Sequence, residues 1–250
     1  MAILYVAAEP AELKPFASTL TALRKLNWPI DYAFEGIWEG RRLLLAANGA
    51  GPQLAARAVE VAIRAVTAAE LSSSKLDWIV SAGFCGALDP ELREGQIVVA
   101  NDVIDLTSTD SFSCSPVVSD RKTSSGTVIS QNRVAIDTAE KAKLRSLNAI
   151  AVDMESSGVA LRAKRAQLPF SCIKVVTDRA DESFRFDLNA LRTGEGRIAR
   201  GKIGLYALTH PRLMPDLLHL RRRAKDAAER LGEFLVSCRI IPDANSAPAQ

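Results

Sequence analysis

The chain has 250 residues, 48% of them hydrophobic, and a formal net charge of +3. That is enough apolar material for a full core in one undivided domain. The small positive charge is spread along the sequence, so it leaves no basic footprint for nucleic acid.

No apolar run reaches the length of a membrane-spanning helix. Cys85, Cys114, Cys172 and Cys238 stand far apart without a C-x-x-C spacing, which suits reduced thiols in a cytosol. His210 and His219 are the only imidazoles, so a histidine-built metal site is not expected.

Met1 to Ala8 lacks a basic leader region and reads as a first core strand, Ile3 to Ala8, not as a signal peptide. Leu13 to Leu26 reads as mostly helical, with Pro15 in its first turn. Phe34 to Trp38 and Arg42 to Ala47, joined by Glu39-Gly40, predict a hairpin. Asn48-Gly49-Ala50-Gly51 then leads into a helix from Pro52 to Glu70, with proline at its first position. Buried strands are expected at Trp78 to Ala82 and Ile97 to Ala100. Between Thr107 and Ser125 ten of nineteen residues are Ser or Thr, which predicts a mobile loop with little core content.

Ile150 to Val152 and Ser171 to Val176 are short apolar strands, separated by an amphipathic stretch that is helical through about Gln167. A last helix, Met214 to Val236, carries Leu217, Leu218, Leu220, Leu231, Phe234 and Leu235 on one side. Its other side carries Arg221-Arg222-Arg223 and Lys225. Such a helix either caps the core with a solvated basic face or docks on a membrane surface. Residues 242–250 are expected to be disordered, leaving a single domain over residues 1–241. The alternation of strand and helix predicts an α/β fold, a three-layer αβα sandwich with a mixed central sheet.

Both short strands stop at acids, in Ala151-Val152-Asp153-Met154-Glu155-Ser156 and in Val175-Val176-Thr177-Asp178-Arg179-Ala180-Asp181. The strand ends of an α/β sheet are where such folds keep their ligands. A carboxylate partly desolvated there holds a raised pKa and exchanges a proton near neutral pH, which makes Asp178 a candidate acid. Glu155 opens a helix, where the macrodipole favours it. Each acid alone also reads as an ordinary first-turn or loop-capping residue. Gly49 and Gly51 are either turn residues or, through their amides at a helix start, a candidate anion site. Glu12, with Glu9 as a rival three residues earlier, reads by itself as a helix cap.

These two blocks and a third, Ser81-Ala82-Gly83-Phe84-Cys85-Gly86-Ala87-Leu88-Asp89-Pro90 running into Gly95-Gln96-Ile97-Val98-Val99, resemble the purine nucleoside phosphorylase and methylthioadenosine/S-adenosylhomocysteine nucleosidase superfamily. The blocks stand in that superfamily's order and span most of residues 1–182. The resemblance implies the nucleoside phosphorylase-like sandwich and cleavage of the N-glycosidic bond of a purine nucleoside, with no cofactor. By it, Asp178 serves the purine N7, Glu155 binds the ribose hydroxyls, and Met154 packs on the sugar. Glu12 orients or deprotonates the nucleophilic water, and Asp153 is a variant of a residue that is commonly glutamate.

Departures from the pattern bear on substrate and nucleophile. Phe84, beside Gly83, replaces a serine that touches phosphate or water, and Ser81 replaces a phosphate-binding arginine, so water is the expected acceptor, with phosphorolysis of the same bond and a non-catalytic nucleoside-binding protein as the alternatives. Val134 replaces an aromatic residue that stacks on the base. Phe84 is either core packing or an apolar wall for a hydrophobic 5′-substituent. Ala139-Glu140-Lys141, Leu168-Pro169-Phe170 and Pro211 to Leu218 look most like the hopanoid-associated phosphorylases, which implies a 5′-modified adenosine such as adenosylhopane. The expected partners are a small nucleoside and further copies of the chain in a homo-oligomer. A membrane surface joins them only if the last helix docks.

Overall fold

The computed structural model describes residues 2–68, 75–185, 187, 189–191, 193 and 214–240. The first strand, β1 (Ala2–Ala7), is buried along its whole length. Its side chains alternate between two apolar clusters, Leu4 and Val6 in one, Ile3, Tyr5 and Ala7 in the other. A strand apolar on both faces has to be covered on both. β4 (Arg41–Ala47), β5 (Leu76–Ala87) and β11 (Phe170–Asp178) repeat the alternation. The cover on one side is α2 (Pro52–Thr67) and α4 (Ser156–Arg165); on the other it is α1 (Pro10–Ala17) and α5 (Met214–Ser237). The result is the three-layer α/β sandwich with a mixed sheet.

The sheet also contains β2 (Thr21–Lys25), β3 (Tyr32–Trp38), β6 (Ile97–Asp105), β9 (Ser124–Ser130) and β10 (Ala149–Asp153), in the order β10-β9-β6-β11-β5-β1-β4-β3-β2. β1 runs parallel to β4 and β5, and β5 parallel to β11. β10 pairs a second time, antiparallel to the end of β5 through Ala151 with Ala87 and Val152 with Gly86. Five strands therefore close into a ring, which brings the end of β10 beside the end of β11. Helix α3 (Thr138–Arg145) covers this ring through Leu144, which packs with Ile129 and Val152.

Several expectations from the sequence need correction. The helix expected over Leu13 to Leu26 ends at Ala17, where the Ser18 and Thr19 hydroxyls donate to the carbonyls of Pro15 and Phe16, each at 2.7 Å. Thr21 to Lys25 is instead an exposed edge strand on β3. The Ser/Thr-rich stretch is not one loop. It holds β7 (Ser111–Ser113), β8 (Val117–Val118) and the start of β9, with Phe112 buried in the core. Hydroxyl side chains tolerate a pleated surface, so a strand can be written in serine and threonine. β8 pairs with β12 (Arg239–Ile240).

The helix from Pro52 ends at Thr67, and Glu70 lies outside the described residues. The last helix is present, but Leu218 is 57% exposed. Arg223, expected on the solvated basic face, is buried; its guanidinium donates to the Thr177 carbonyl and pairs with Glu182 and Glu94. No described helix is long and apolar enough to cross a membrane. His210, Pro211 to Leu213 and the tail from Pro242 to Gln250 lie outside the described residues.

Candidate active site

Where the parallel strands end, the layers part around a cavity of about 170 Å³. Glu12, Phe84, Val134, Met154, Glu155 and Asp178 line it together with Asp153. The residues expected from sequence to act jointly thus meet in one place, although they come from β1–α1, β5, β9–α3, β10–α4 and the end of β11.

Glu12 sits in the first turn of α1, and its Oε1 accepts the Glu9 N–H at 3.2 Å. Its other oxygen lies against Gly83, where a Cβ would collide with it, and Gly83 itself has a φ of +144° that favours glycine. Burial pushes the Glu12 carboxyl up to about 8, the charge of Glu155 pushes the same way, and Lys174 opposes both. Glu155, at the start of α4, accepts the Gly51 N–H on Oε1 at 3.1 Å. Its pKa is raised by burial first and by the Asp153 charge second.

Asp153 and Lys174 form an ion pair at 2.7 Å with both side chains 0% exposed. The Asp153 carboxylate also accepts the Ser156 N–H at 3.0 Å and the Ser156 hydroxyl. Asp153 is therefore committed to its neighbours and acts behind Glu155. Lys174 went unnoticed in the sequence, although a signal was there. β11 is apolar on both faces, and a lysine inside such a strand has to meet a buried acid.

Asp178 ends β11. Its Oδ1 accepts the Thr177 hydroxyl at 2.9 Å and its Oδ2 accepts the Lys141 ammonium at 2.6 Å. A Cβ on Gly86 would come within 2.9 Å of Asp178 Oδ2. Burial raises the Asp178 carboxyl above its usual range, and Lys141 works against that rise. Val134 is fixed through its backbone, donating to Asn189 Oδ1 at 2.8 Å and accepting from Asn189 Nδ2 at 3.1 Å. Thr177, Cys85, Ala50 and Arg133 also reach the cavity; none of them stood out in the sequence.

Of the two readings of Gly49 and Gly51, turn residues or anion site, their amides fit the turn. The Gly49 N–H is taken by the Ala8 carbonyl at 2.9 Å and the Gly51 N–H by Glu155, so both amides are spent holding the turn and the carboxylate. Ser81 is fully buried, with its hydroxyl 3.2 Å from that of Ser156. Among the described residues no cluster of His, Cys, Asp or Glu could hold a metal ion.

Structures of known proteins share this architecture. The chain superposes on a 5′-methylthioadenosine/S-adenosylhomocysteine nucleosidase from S. pneumoniae, solved with a transition-state inhibitor, at 17% identity and a TM-score of 0.69, covering 95% of this chain and 97% of that one. The corresponding nucleosidase from Neisseria meningitidis, in complex with methylthio-immucillin-A, gives 18% identity and 0.69, with 94% and 97% covered. A futalosine hydrolase mutant from Helicobacter pylori gives 14% identity and 0.66, with 95% and 97% covered. No curated protein is significantly similar in sequence. The phosphorylase superfamily, however, matches residues 2–120 and 114–201, and the chain belongs to it.

Proposed function

We propose that the protein hydrolyses the N-glycosidic bond of a purine nucleoside, with Asp178 as the acid on the departing base and Glu12 as the base on the attacking water. The observation that carries this reading is the placement of two buried carboxylates against two glycines of one strand, Glu12 on Gly83 and Asp178 on Gly86. Both carboxylates line the one cavity, so a nucleoside seated there meets Glu12 from α1 and Asp178 from the end of β11, as in glycosidases whose separated carboxylates admit a water.

Cleavage builds positive charge on the ribosyl ring, and a site rich in carboxylates favours it. Glu155 supplies a negative charge to face it and acceptors for the ribose hydroxyls, and Met154 covers the sugar. The same carboxylates disfavour phosphate as nucleophile. Glu12, Glu155 and Asp153 share one buried cation, Lys174, and the amides of the glycine turn are already engaged. Water is therefore the acceptor in this reading, and a sugar with a free hydroxyl at C1 the product.

The substrate proposed is a 5′-modified adenosine. Phe84 is half-buried at the cavity wall, and an apolar 5′-group placed against it would gain about 25 cal/mol per Å² removed from water. Across a series of 5′-alkylthioadenosines KM should then fall as the chain lengthens, and a flat series would return Phe84 to core packing. Adenosylhopane is the extreme member of that class. The test of the reaction itself is base release with and without inorganic phosphate, followed by phosphorus NMR. A 5-modified ribose with a free hydroxyl at C1 is expected in both; its 1-phosphate as the main product would replace hydrolysis by phosphorolysis.

A further inference from the structure

Lys141 is the buried charge that the proposed reaction leaves unused. It lies on α3, outside the motifs that carry the carboxylates, and its side chain is 1% exposed. All of its donors converge on the end of β11: Nζ lies 2.6 Å from Asp178 Oδ2, 2.6 Å from the Arg179 carbonyl and 3.0 Å from the Glu182 carbonyl. Three acceptors match the three protons of an ammonium group. The Thr177 hydroxyl takes the other Asp178 oxygen, so the carboxyl is held from both ends.

Resting on the assignment of Asp178 as the acid, we propose that Lys141 is the positioning residue of the proton transfer: it holds Asp178 toward the base and neutralises the carboxylate that Asp178 becomes. When the C1′–N9 bond breaks, its electron pair leaves with the purine. The Asp178 O–H bond breaks and an N7–H bond forms, and a water proton passes to Glu12 as the new C1′–O bond is made. Asp178 is thereby left as an anion in a closed space. An unpaired anion there is strongly disfavoured, and an ammonium in contact with it removes that penalty. Lys141 thus acts on the state that follows proton transfer, which is where a stabilising charge accelerates the step.

The charged and titratable groups facing Asp178 are Lys141 from α3, Cys85 from β5, Glu182 from the loop after β11 and Arg223 from α5. Lys141 alone among them touches the carboxylate through an ion pair. Removing it takes away the largest opposition to burial and leaves only the Thr177 hydrogen bond against it, so Asp178 binds its proton more tightly and gives it up less readily. The alkaline limb of the rate profile, where the acid is lost, then moves to higher pH.

The test compares Lys141→Met with Asp178→Asn on two substrates, 5′-methylthioadenosine and p-nitrophenyl β-D-ribofuranoside, whose leaving group departs without a proton. For Lys141→Met, kcat on the adenosine should fall about a hundredfold, within the range of a general-acid contribution. KM and the rate on the nitrophenyl riboside should stay nearly unchanged, and the alkaline limb should shift upward. Equal losses on both substrates, or an unshifted limb with normal kcat, would overturn the role of Lys141. Asp178→Asn separates the two ideas: if it cleaves the adenosine normally, the acid assignment itself falls, and the inference with it. Lys141→Gln, which keeps a donor for the two carbonyls without the charge, carries the same test should the methionine variant fold poorly.

Discussion

At the scale of single residues the site is an arrangement of buried charges that do not cancel. Glu12, Glu155 and Asp153 surround Lys174, while Asp178 has its own cation in Lys141. This division separates the two tasks. On the proposed assignment, burial first and the Glu155 charge second hold the Glu12 carboxyl up, where it can take a proton from water, and Lys141 opposes the burial that raises Asp178, so that it can release one. Asp178→Asn should therefore lower turnover by about two to four orders of magnitude while the fold is retained, measured as base release alongside a circular dichroism spectrum. Glu155→Gln should harm ribosides far more than 2′-deoxyribosides, because a site built to bond a hydroxyl is sensitive to its loss. Equal losses on the two would end the ribose role. The acids were legible in the sequence because they stand where apolar strands stop. Lys141 was not: it was read only within Ala139-Glu140-Lys141, and the helix over Thr138–Arg145, with Glu140, Lys141, Lys143 and Arg145 among its eight residues, carries little apolar pattern to mark a buried face. Only the face that buries Leu144 also buries Lys141, three residues away, and which face turns inward is decided by the ring of strands beneath it.

At the scale of elements, β5 is the strand that defines the site. It pairs with β1, β11 and β10, and its two glycines leave out the side chains that would fill the places of the Glu12 and Asp178 carboxylates. Gly83→Ala would set a methyl group on the Glu12 oxygen and force a residue with a Cβ into a φ of +144°. Activity should fall as in Glu12→Gln, and the melting temperature should fall as well, by contrast with the glutamine variant discussed below. Gly86→Ala, at 2.9 Å from the Asp178 oxygen, should damage the acid and leave cleavage of the nitrophenyl riboside nearly intact. The glycine-rich block was recognisable in the sequence, yet its reason was not, because the clash involves residues some seventy and ninety positions away. Strand and helix alternation was recovered where faces are apolar. It failed over Thr21 to Lys25, an exposed strand with no buried face to create a period.

At the scale of the whole molecule, the site is built at the expense of stability, and pH makes this measurable. Glu12 has an ordinary value of 4.5 and a folded value of about 8. Its folded pKa is raised, so between these values the unfolded chain releases the proton while the folded chain retains it. The unfolded state then binds fewer protons, and stability falls as pH rises through this window, levelling off above about 8. Each unit of separation corresponds to about 1.4 kcal/mol. Glu12→Gln removes the ionisation and keeps an acceptor for the Glu9 N–H, so it should melt at a higher temperature than the native chain at pH 8 and at nearly the same temperature at pH 4.5. Catalysis has the opposite sign. Glu12 must be ionised to take the water proton, so kcat/KM should climb with pH up to about 8 in the native protein, and that rise should be missing from the residual activity of Glu12→Gln. Melting curves and rates recorded on the same buffers would show the two trends crossing. A glutamine variant no more stable than the native chain at pH 8 would mean that the fold does not hold a proton on Glu12, and a rise of kcat/KM toward pH 8 would then have to be traced to another group, Glu155 first.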